Sequence, residues 1–392
     1  MGGIEMSMPP VWPAISRRPG GRESPMRTIR AGVLYEPNQP IRVEEVQLDD
    51  PQAGEVMVKI AAGGVCRSDL HAINGEWRMP LPMVLGHEAA GVVEAVGPGV
   101  TRVKPGDRVI LNFSPNCGVC RYCVSGKPHL CETTRKYPLG VLPGGGTRLS
   151  KDGQPIYHFA RTASMAEYTV VHESGAVPIP ADVSMEMAAL VGCSVTTGIG
   201  AVINTAGVEP GSTVAVIGCG GVGLNIIQGA RLANASQIIA VDISEPKLEM
   251  ARRFGATDDV DASEADPVQR IREMTGGGVD YAFEALGTGA TVTTAFDCLR
   301  PGGTAVIAGM APDGVTAAID ARMLAGTEKT LKGSYYGSAR VSIDMPRLLT
   351  LAKAGKIDLE GLVTRRYPLE QINEAYAALD RGEPGRGLII FD

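Results

Sequence analysis

Six of the chain's eight cysteines stand where thiolate chemistry is possible. Four are packed into Cys117-Gly-Val-Cys120-Arg-Tyr-Cys123-Val-Ser-Gly-Lys-Pro-His-Leu-Cys131. Four thiolates make the closed tetrahedral shell of a structural zinc site, with no position left open. Nested disulfides are a poorer reading, because these thiols crowd a single loop. The other two, Cys66 and Cys193, lie far apart and bracket His87. Cys66, His87 and Cys193 supply only three ligands, which leaves a fourth position for water or substrate, the catalytic arrangement. The expectation is two zinc ions per chain, one for shape and one for chemistry. Cys219 in a turn and Cys298 in an expected helix read as small packing residues.

A second motif points to a nucleotide. Gly218-Cys-Gly220-Gly221-Val222-Gly223 matches G-x-G-x-x-G. In a chain with 50 glycines the match alone means little. Its context strengthens it: it follows the apolar run Ser212-Thr-Val-Ala-Val-Ile, opens a helix, and is followed by the acidic Asp242 at the end of the next strand. The glycines let the backbone approach a pyrophosphate at the helix N-terminus. Asp242 accepts from ribose hydroxyls and repels a 2′-phosphate, which favours NAD over NADP.

The elements that must hold these residues change in character along the chain. Ile41-Arg-Val-Glu-Glu-Val and Glu55-Val-Met-Val-Lys-Ile alternate apolar and polar residues, as half-buried strands do. Ala90–Val96 and Asp107–Leu111 continue a β-rich region, expected to be a partly open barrel. Beyond Cys193, strands at 212–218, 237–242, 281–284 and 303–308 alternate with helices at 222–233 and 245–254. That alternation predicts a doubly wound parallel sheet. A terminal strand at 387–391 is expected to rejoin the first domain. The fold class is α/β. The expected domains are 26–195 with 336–392, which carry both zinc sites, and 196–335, which binds the cofactor. Residues 1–25 are rich in Gly, Pro and Arg without an apolar signal core, and read as a disordered extension with Met26 as an alternative start.

Composition excludes several classes. The net charge is −6 with both signs interspersed, so neither a nucleic-acid nor an anionic-membrane partner is expected. No apolar stretch of about 18 residues free of charge and chain-breaking residues is read from the sequence, so no transmembrane helix is expected. Thiols used as metal ligands fit a reducing compartment, the cytoplasm.

Gly64-Val-Cys66-Arg67-Ser68-Asp69-Leu-His71, Gly86-His87-Glu88-Ala-Ala-Gly91 and Gly192-Cys193-Ser-Val-Thr-Thr197-Gly resemble the zinc-containing alcohol dehydrogenases of the medium-chain dehydrogenase/reductase superfamily. The four-cysteine block and the glycine turn stand in that family's order, and the resemblance runs from about Met26 to Phe391. The long segment from Cys131 to Glu167 is closest to the class I-like branch. The resemblance implies a GroES-like catalytic domain and a Rossmann domain. It implies that zinc polarises the alcohol hydroxyl and that hydride passes to the nicotinamide. Ser68 and His71 match a proton relay. Asp69 and Glu88 match carboxylates behind the zinc ligands. Arg67 and Arg386 match pyrophosphate contacts, Lys247 an adenosine-ribose contact, and Thr197 and Val222 the nicotinamide side. Trp77 and Phe113 match the alcohol pocket; two aromatics suggest an apolar primary alcohol or aldehyde, aliphatic or aromatic. His129, His158 and His172 are left as surface or packing residues.

Three rivals differ in substrate, cofactor exchange or class. The glutathione-dependent formaldehyde dehydrogenases share the pattern, but usually carry tyrosine where His71 stands and an acidic loop where this chain has Gly75-Glu-Trp-Arg-Met-Pro. A nicotinoprotein would keep NAD bound. An inactive binding homologue would show broken ligands or a damaged glycine turn, and neither is seen. The resemblance also implies a homodimer, paired through edge strands near Gly303–Ala311, with a tetramer as the alternative.

Overall fold

In the computed structural model, residues 26–392 are described; the extension expected at 1–25 lies outside the described residues. Strands Met26–Leu34, Arg42–Asp49, Leu149–Lys151, Gln154–His158 and Met83–Val84 close a barrel. The sequence suggested a partly open one. Closure depends on the two-residue strand Met83–Val84, which pairs with both Met26–Leu34 and Gln154–His158. A strand that short carries no readable alternation.

A seven-stranded sheet lies beside the barrel, with Glu55–Gly64 at its centre. That strand pairs antiparallel with Glu88–Val96, Tyr168–His172 and the C-terminal Arg386–Ile390. Nearly all of it is buried, with Lys59 exposed, so the half-buried strand expected from the alternation at 55–60 is corrected: it is a central strand covered on both faces. The pairing brings Gly64, Glu88 and Leu388 side by side, although they are distant in sequence. Arg386 is the first residue of the last strand rather than the residue before it.

The third sheet is parallel throughout, in the order Asp258–Asp261, Gln237–Asp242, Thr213–Ile217, Val279–Glu284, Leu299–Ile307, Thr330–Gly333. Chain order reverses between Thr213–Ile217 and Val279–Glu284. The crevice beyond the carboxyl ends of those two strands is where such sheets bind ligands. The expectation that an edge strand runs near Gly303–Ala311 is corrected: Leu299–Ile307 is hydrogen-bonded on both sides, and the free edge is Thr330–Gly333. Cys298 caps the helix Gly289–Asp297 and is buried, as is Cys219 in its turn.

The helical run Met185–Ala206 is long and apolar enough to cross a bilayer, and 83% of its most apolar window is buried inside the molecule. Its glycines Gly192, Gly198 and Gly200 are close-approach positions: a Cβ on Gly198 would lie 2.5 Å from the Val222 carbonyl oxygen. A π-helical turn, Val191–Val195, interrupts the run and presents Cys193.

All three remaining histidines pack rather than lie free on the surface. His158 is fully buried; its Nε2 accepts from the Arg148 N–H at 3.2 Å, and its Nδ1 has no partner. Burial, reinforced by the Arg148 charge, pushes its pKa down to about 3. The folded protein therefore keeps this ring neutral where the unfolded chain takes up a proton, so stability is lost as pH falls below about 6.5. From pH 7 to pH 5 this one group costs about 2 kcal/mol. Urea unfolding at both pH values should show that drop in the wild type and a smaller one in His158→Gln.

Candidate active site and metal centres

The side chains of Cys66, His87 and Cys193 converge, with their ligand atoms within 4.8 Å of one another and all three residues buried. Three elements deliver them. Cys66 caps the short helix Arg67–Ile73, His87 precedes the strand Glu88–Val96, and Cys193 projects from the π-turn. His87 Nε2 lies 3.2 Å from Cys193 Sγ. On the other side of the ring, Nδ1 donates to Asp69 Oδ1 at 3.3 Å. Asp69 is wholly buried and also accepts from the backbone N–H groups of Cys66 and Gly86. A carboxylate behind an imidazole fixes its tautomer and aims the other nitrogen at a metal. The Cys66 thiol is held well below its ordinary pKa by the hydrogen bond with Cys193, and then by the His87 and Arg386 charges, against burial. An ionised thiolate is the form zinc requires.

Glu88 lies behind this trio. It accepts from the Ser194 N–H at 2.9 Å and from Arg386 Nη2 at 2.7 Å. Both members of the ion pair are buried. Burial pushes the Glu88 carboxyl above its ordinary range, and the Arg386 guanidinium pulls it back. Gly64 makes room for it: a Cβ there would lie 2.2 Å from Glu88 Oε1.

Cys117, Cys120, Cys123 and Cys131 form a second cluster, again within 4.8 Å of one another. Their sulfurs stand 3.5 Å apart for Cys120–Cys123, 3.9 Å for Cys120–Cys131 and 4.0 Å for Cys117–Cys123. A zinc tetrahedron with Zn–S near 2.3 Å has edges of about 3.8 Å. The spacing fits a tetrathiolate and is far too long for disulfides. Backbone N–H groups of Cys117 and Cys120 point at Cys131 Sγ and Cys117 Sγ, which favours the charged sulfur.

A cavity of about 540 Å³ opens over the trio. Arg67, Ser68 and His71 line it from the Arg67–Ile73 helix, and Thr197 and Val222 line it as well. Trp77 and Phe113 line it too. The Phe113 ring meets His87 edge-on at 5.4 Å and packs on Tyr336 at 3.9 Å. The Trp77 ring stacks on His71 at 4.4 Å, and its Nε1 donates to the Ala311 carbonyl at 2.9 Å. Asp69 and Glu88 lie behind the cavity wall rather than on it.

The glycine turn has the shape its motif predicts. Gly218 sits at φ +95°, a conformation that glycine adopts without strain. A Cβ on Gly223 would lie 1.8 Å from the Gly218 carbonyl oxygen, so no other residue allows the helix to pack this closely. A Cβ on Gly220 would meet nothing within 4 Å, which is the open cradle a pyrophosphate needs. Arg386 borders the turn, its Cδ 2.5 Å from an ideal Cβ on Gly221, and its Nε is buried without a partner. Asp242 ends its strand with Oδ2 accepting from Cys219 N–H, and Oδ1 from those of Ile243 and Ser244. Lys247 lies five residues on, its Nζ near Gly382. Arg67 is half-exposed and pairs with Asp380 at 3.5 Å.

Residues 52–181 match the alcohol dehydrogenase GroES-like domain, and residues 221–354 match the zinc-binding dehydrogenase family. A zinc-binding-domain alcohol dehydrogenase from Burkholderia ambifaria is 36% identical, covering 94% of this chain and 100% of its own, with a TM-score of 0.89. This chain is a zinc-containing alcohol dehydrogenase of the medium-chain dehydrogenase/reductase superfamily. Two further solved structures are similar along nearly the whole chain. Benzyl alcohol dehydrogenase from Acinetobacter calcoaceticus is 34% identical over 93% of this chain and 100% of that one, with a TM-score of 0.88. A zinc-binding dehydrogenase from Sinorhizobium meliloti, solved with NADP, is 28% identical over 93% and 100%, with a TM-score of 0.76.

Several residues of this dehydrogenase site escaped the sequence reading. Glu76 forms a short hydrogen bond to His71 Nδ1. Its neighbours tie the same loop to the other side of the cleft: Asp313 N–H donates to the Glu76 carbonyl, and Arg78 N–H to the Asp313 carboxylate, 3.0 Å each. Phe159, Tyr335 and Tyr336 complete the aromatic wall. Glu76 stands five residues after His71, a separation that loop geometry alone turns into contact. Tyr335 and Tyr336 come from the far end of the chain, so no local pattern marks them.

Proposed function

We propose that the protein catalyses reversible oxidation of an apolar primary alcohol to its aldehyde, with NAD as hydride acceptor. The observation that carries this reading is the convergence of Cys66, His87 and Cys193 at one end of an aromatic cavity that Ser68 and His71 also line. Those three residues would hold a catalytic zinc, and Cys117, Cys120, Cys123 and Cys131 a structural one. When bound, zinc supplies Lewis acidity toward the substrate oxygen and the nicotinamide supplies the hydride acceptor.

The chain's own residues do the rest. Asp69 holds the His87 ring. Glu88 and Arg386 keep a balanced charge pair between the trio and the glycine turn. Ser68 takes the hydroxyl proton and His71 carries it outward, as a histidine can near neutral pH. Gly218, Gly220, Gly221 and Gly223 receive the pyrophosphate, with Arg67 and Arg386 beside it. Asp242 and Lys247 face the adenosine ribose, and Thr197 and Val222 the nicotinamide. Trp77 and Phe113 exclude water from the substrate. The division into 26–195 with 336–392 and 196–335, a homodimer, and a cytoplasmic setting suited to thiol ligands belong to the same reading.

The benzyl alcohol dehydrogenase likeness supports an aryl alcohol over an aliphatic one. Steady-state rates with benzyl alcohol, hexanol and S-(hydroxymethyl)glutathione, each with NAD and NADP, test the assignment. The first pair should turn over with NAD; clear preference for the glutathione adduct or for NADP would sink it. NAD retained through gel filtration would mark a nicotinoprotein instead.

Glu76 fixes the outer end of the proton path. Glu76→Gln should lower kcat on the order of tenfold by loosening His71, with the melting temperature unchanged. An unaltered kcat would show that the pair does not serve the relay.

A further inference from the structure

One wall of the cavity carries a charge that the proposed reaction does not use. Arg161 lines it next to Phe159, Ala160 and Tyr335. Its Nη2 donates to the carbonyl oxygens of Thr134 and Tyr137, both at 3.2 Å, which anchors the head group. Its Nε is buried and has no partner. No carboxylate forms an ion pair with it among the described residues; the titratable groups that act on it are Tyr335 and the like-charged Arg135. A half-buried guanidinium among aromatic rings, with no counter-charge, is unfavourable unless something else supplies one.

The backbone gives a second, independent observation. Ala160, Arg161 and Ala163 have φ of +47°, +62° and +51°. Left-handed non-glycine residues cost energy, and such strain gathers where a ligand is held. Glycine would fit position 161 with less strain, yet the position carries the cavity's unpaired cation.

We propose that Arg161 is a specificity-determining residue that receives a carboxylate on the substrate, remote from the reacting carbon. The substrate class is then an aryl alcohol or aldehyde bearing a ring carboxylate. The ring packs on Trp77 and Phe113, the hydroxymethyl group meets Cys66, His87 and Cys193, and the carboxylate takes charge-assisted hydrogen bonds from the guanidinium. This rests on the aryl-alcohol reading above.

The test compares kcat/KM for 4-(hydroxymethyl)benzoate with that for its methyl ester, which has the same ring and no charge. The wild type should favour the acid at least about tenfold, and Arg161→Gly should abolish the preference. A purely structural role for Arg161 would lower both substrates together and leave the ratio intact, which overturns the proposal; so does a wild type without preference. Should Arg161→Gly not fold, Arg161→Gln gives the same ratio. S-(hydroxymethyl)glutathione, whose carboxylates are peptidic, separates an aryl from a peptide source: a preference for it that Arg161→Gly removes overturns the aryl class. Benzoate binding, followed by quenching of Trp77 fluorescence, separates this proposal from the reaction itself. Wild-type binding that weakens at least about tenfold in the variant supports Arg161 even if no alcohol turns over, whereas equal binding with normal turnover refutes Arg161 alone.

Discussion

Replacing Cys66 by Ser lowers kcat/KM for alcohol oxidation by about 10³–10⁴-fold and leaves the protein folded. Cys66, His87 and Cys193 have no spare ligand beside them among the described residues, so losing one thiolate opens a second position on the metal. An alkoxyl oxygen is a harder and weaker zinc donor than a thiolate. The fold should survive, because the backbone N–H of Cys66 donates to the Asp69 carboxylate whatever the side chain, and serine is nearly the same size and a good N-cap. Circular dichroism and steady-state rates check both halves. Full turnover in the variant would remove Cys66 from the chemistry.

The second large effect falls on stability. Arg386→Ala leaves Glu88 fully buried with only the Ser194 N–H as partner. Breaking a buried ion pair by removing one member costs about 3–5 kcal/mol, because the surviving charge stays desolvated. Glu88→Gln combined with Arg386→Met removes both charges and should recover most of that loss. Denaturant unfolding of the three proteins reads the difference. Equal destabilisation by the single and double variants would mean that packing, not charge, sets the cost. Because Arg386 also borders Gly221, the single variant should weaken cofactor binding as well.

Local chemistry was readable in the sequence wherever spacing along the chain is itself the geometry. The four thiols within one loop, the glycine turn between strand and helix, and the elements Gln237–Asp242 and Glu245–Phe254 all follow from short-range pattern. The trio at Cys66, His87 and Cys193 was readable only as three separate motifs, joined by resemblance. What the sequence hides is contact made by tertiary pairing. Glu88 and Arg386 meet because the last strand adds to Glu55–Gly64, which no periodicity announces. Met83–Val84 closes the barrel with two residues. Leu299–Ile307 lost its expected edge because Thr330–Gly333, short and largely exposed, pairs outside it. No local pattern marks Arg161; only its place beside Phe159 and Tyr335 on the cavity wall makes it unusual.

The most direct test of the central claim is zinc content by mass spectrometry on purified protein and two variants. The chain should hold two zinc ions, Cys66→Ser one with turnover lost, and Cys120→Ser one with reduced stability. One zinc or none in the wild type, or two retained in Cys66→Ser, would contradict the assignment of separate catalytic and structural centres.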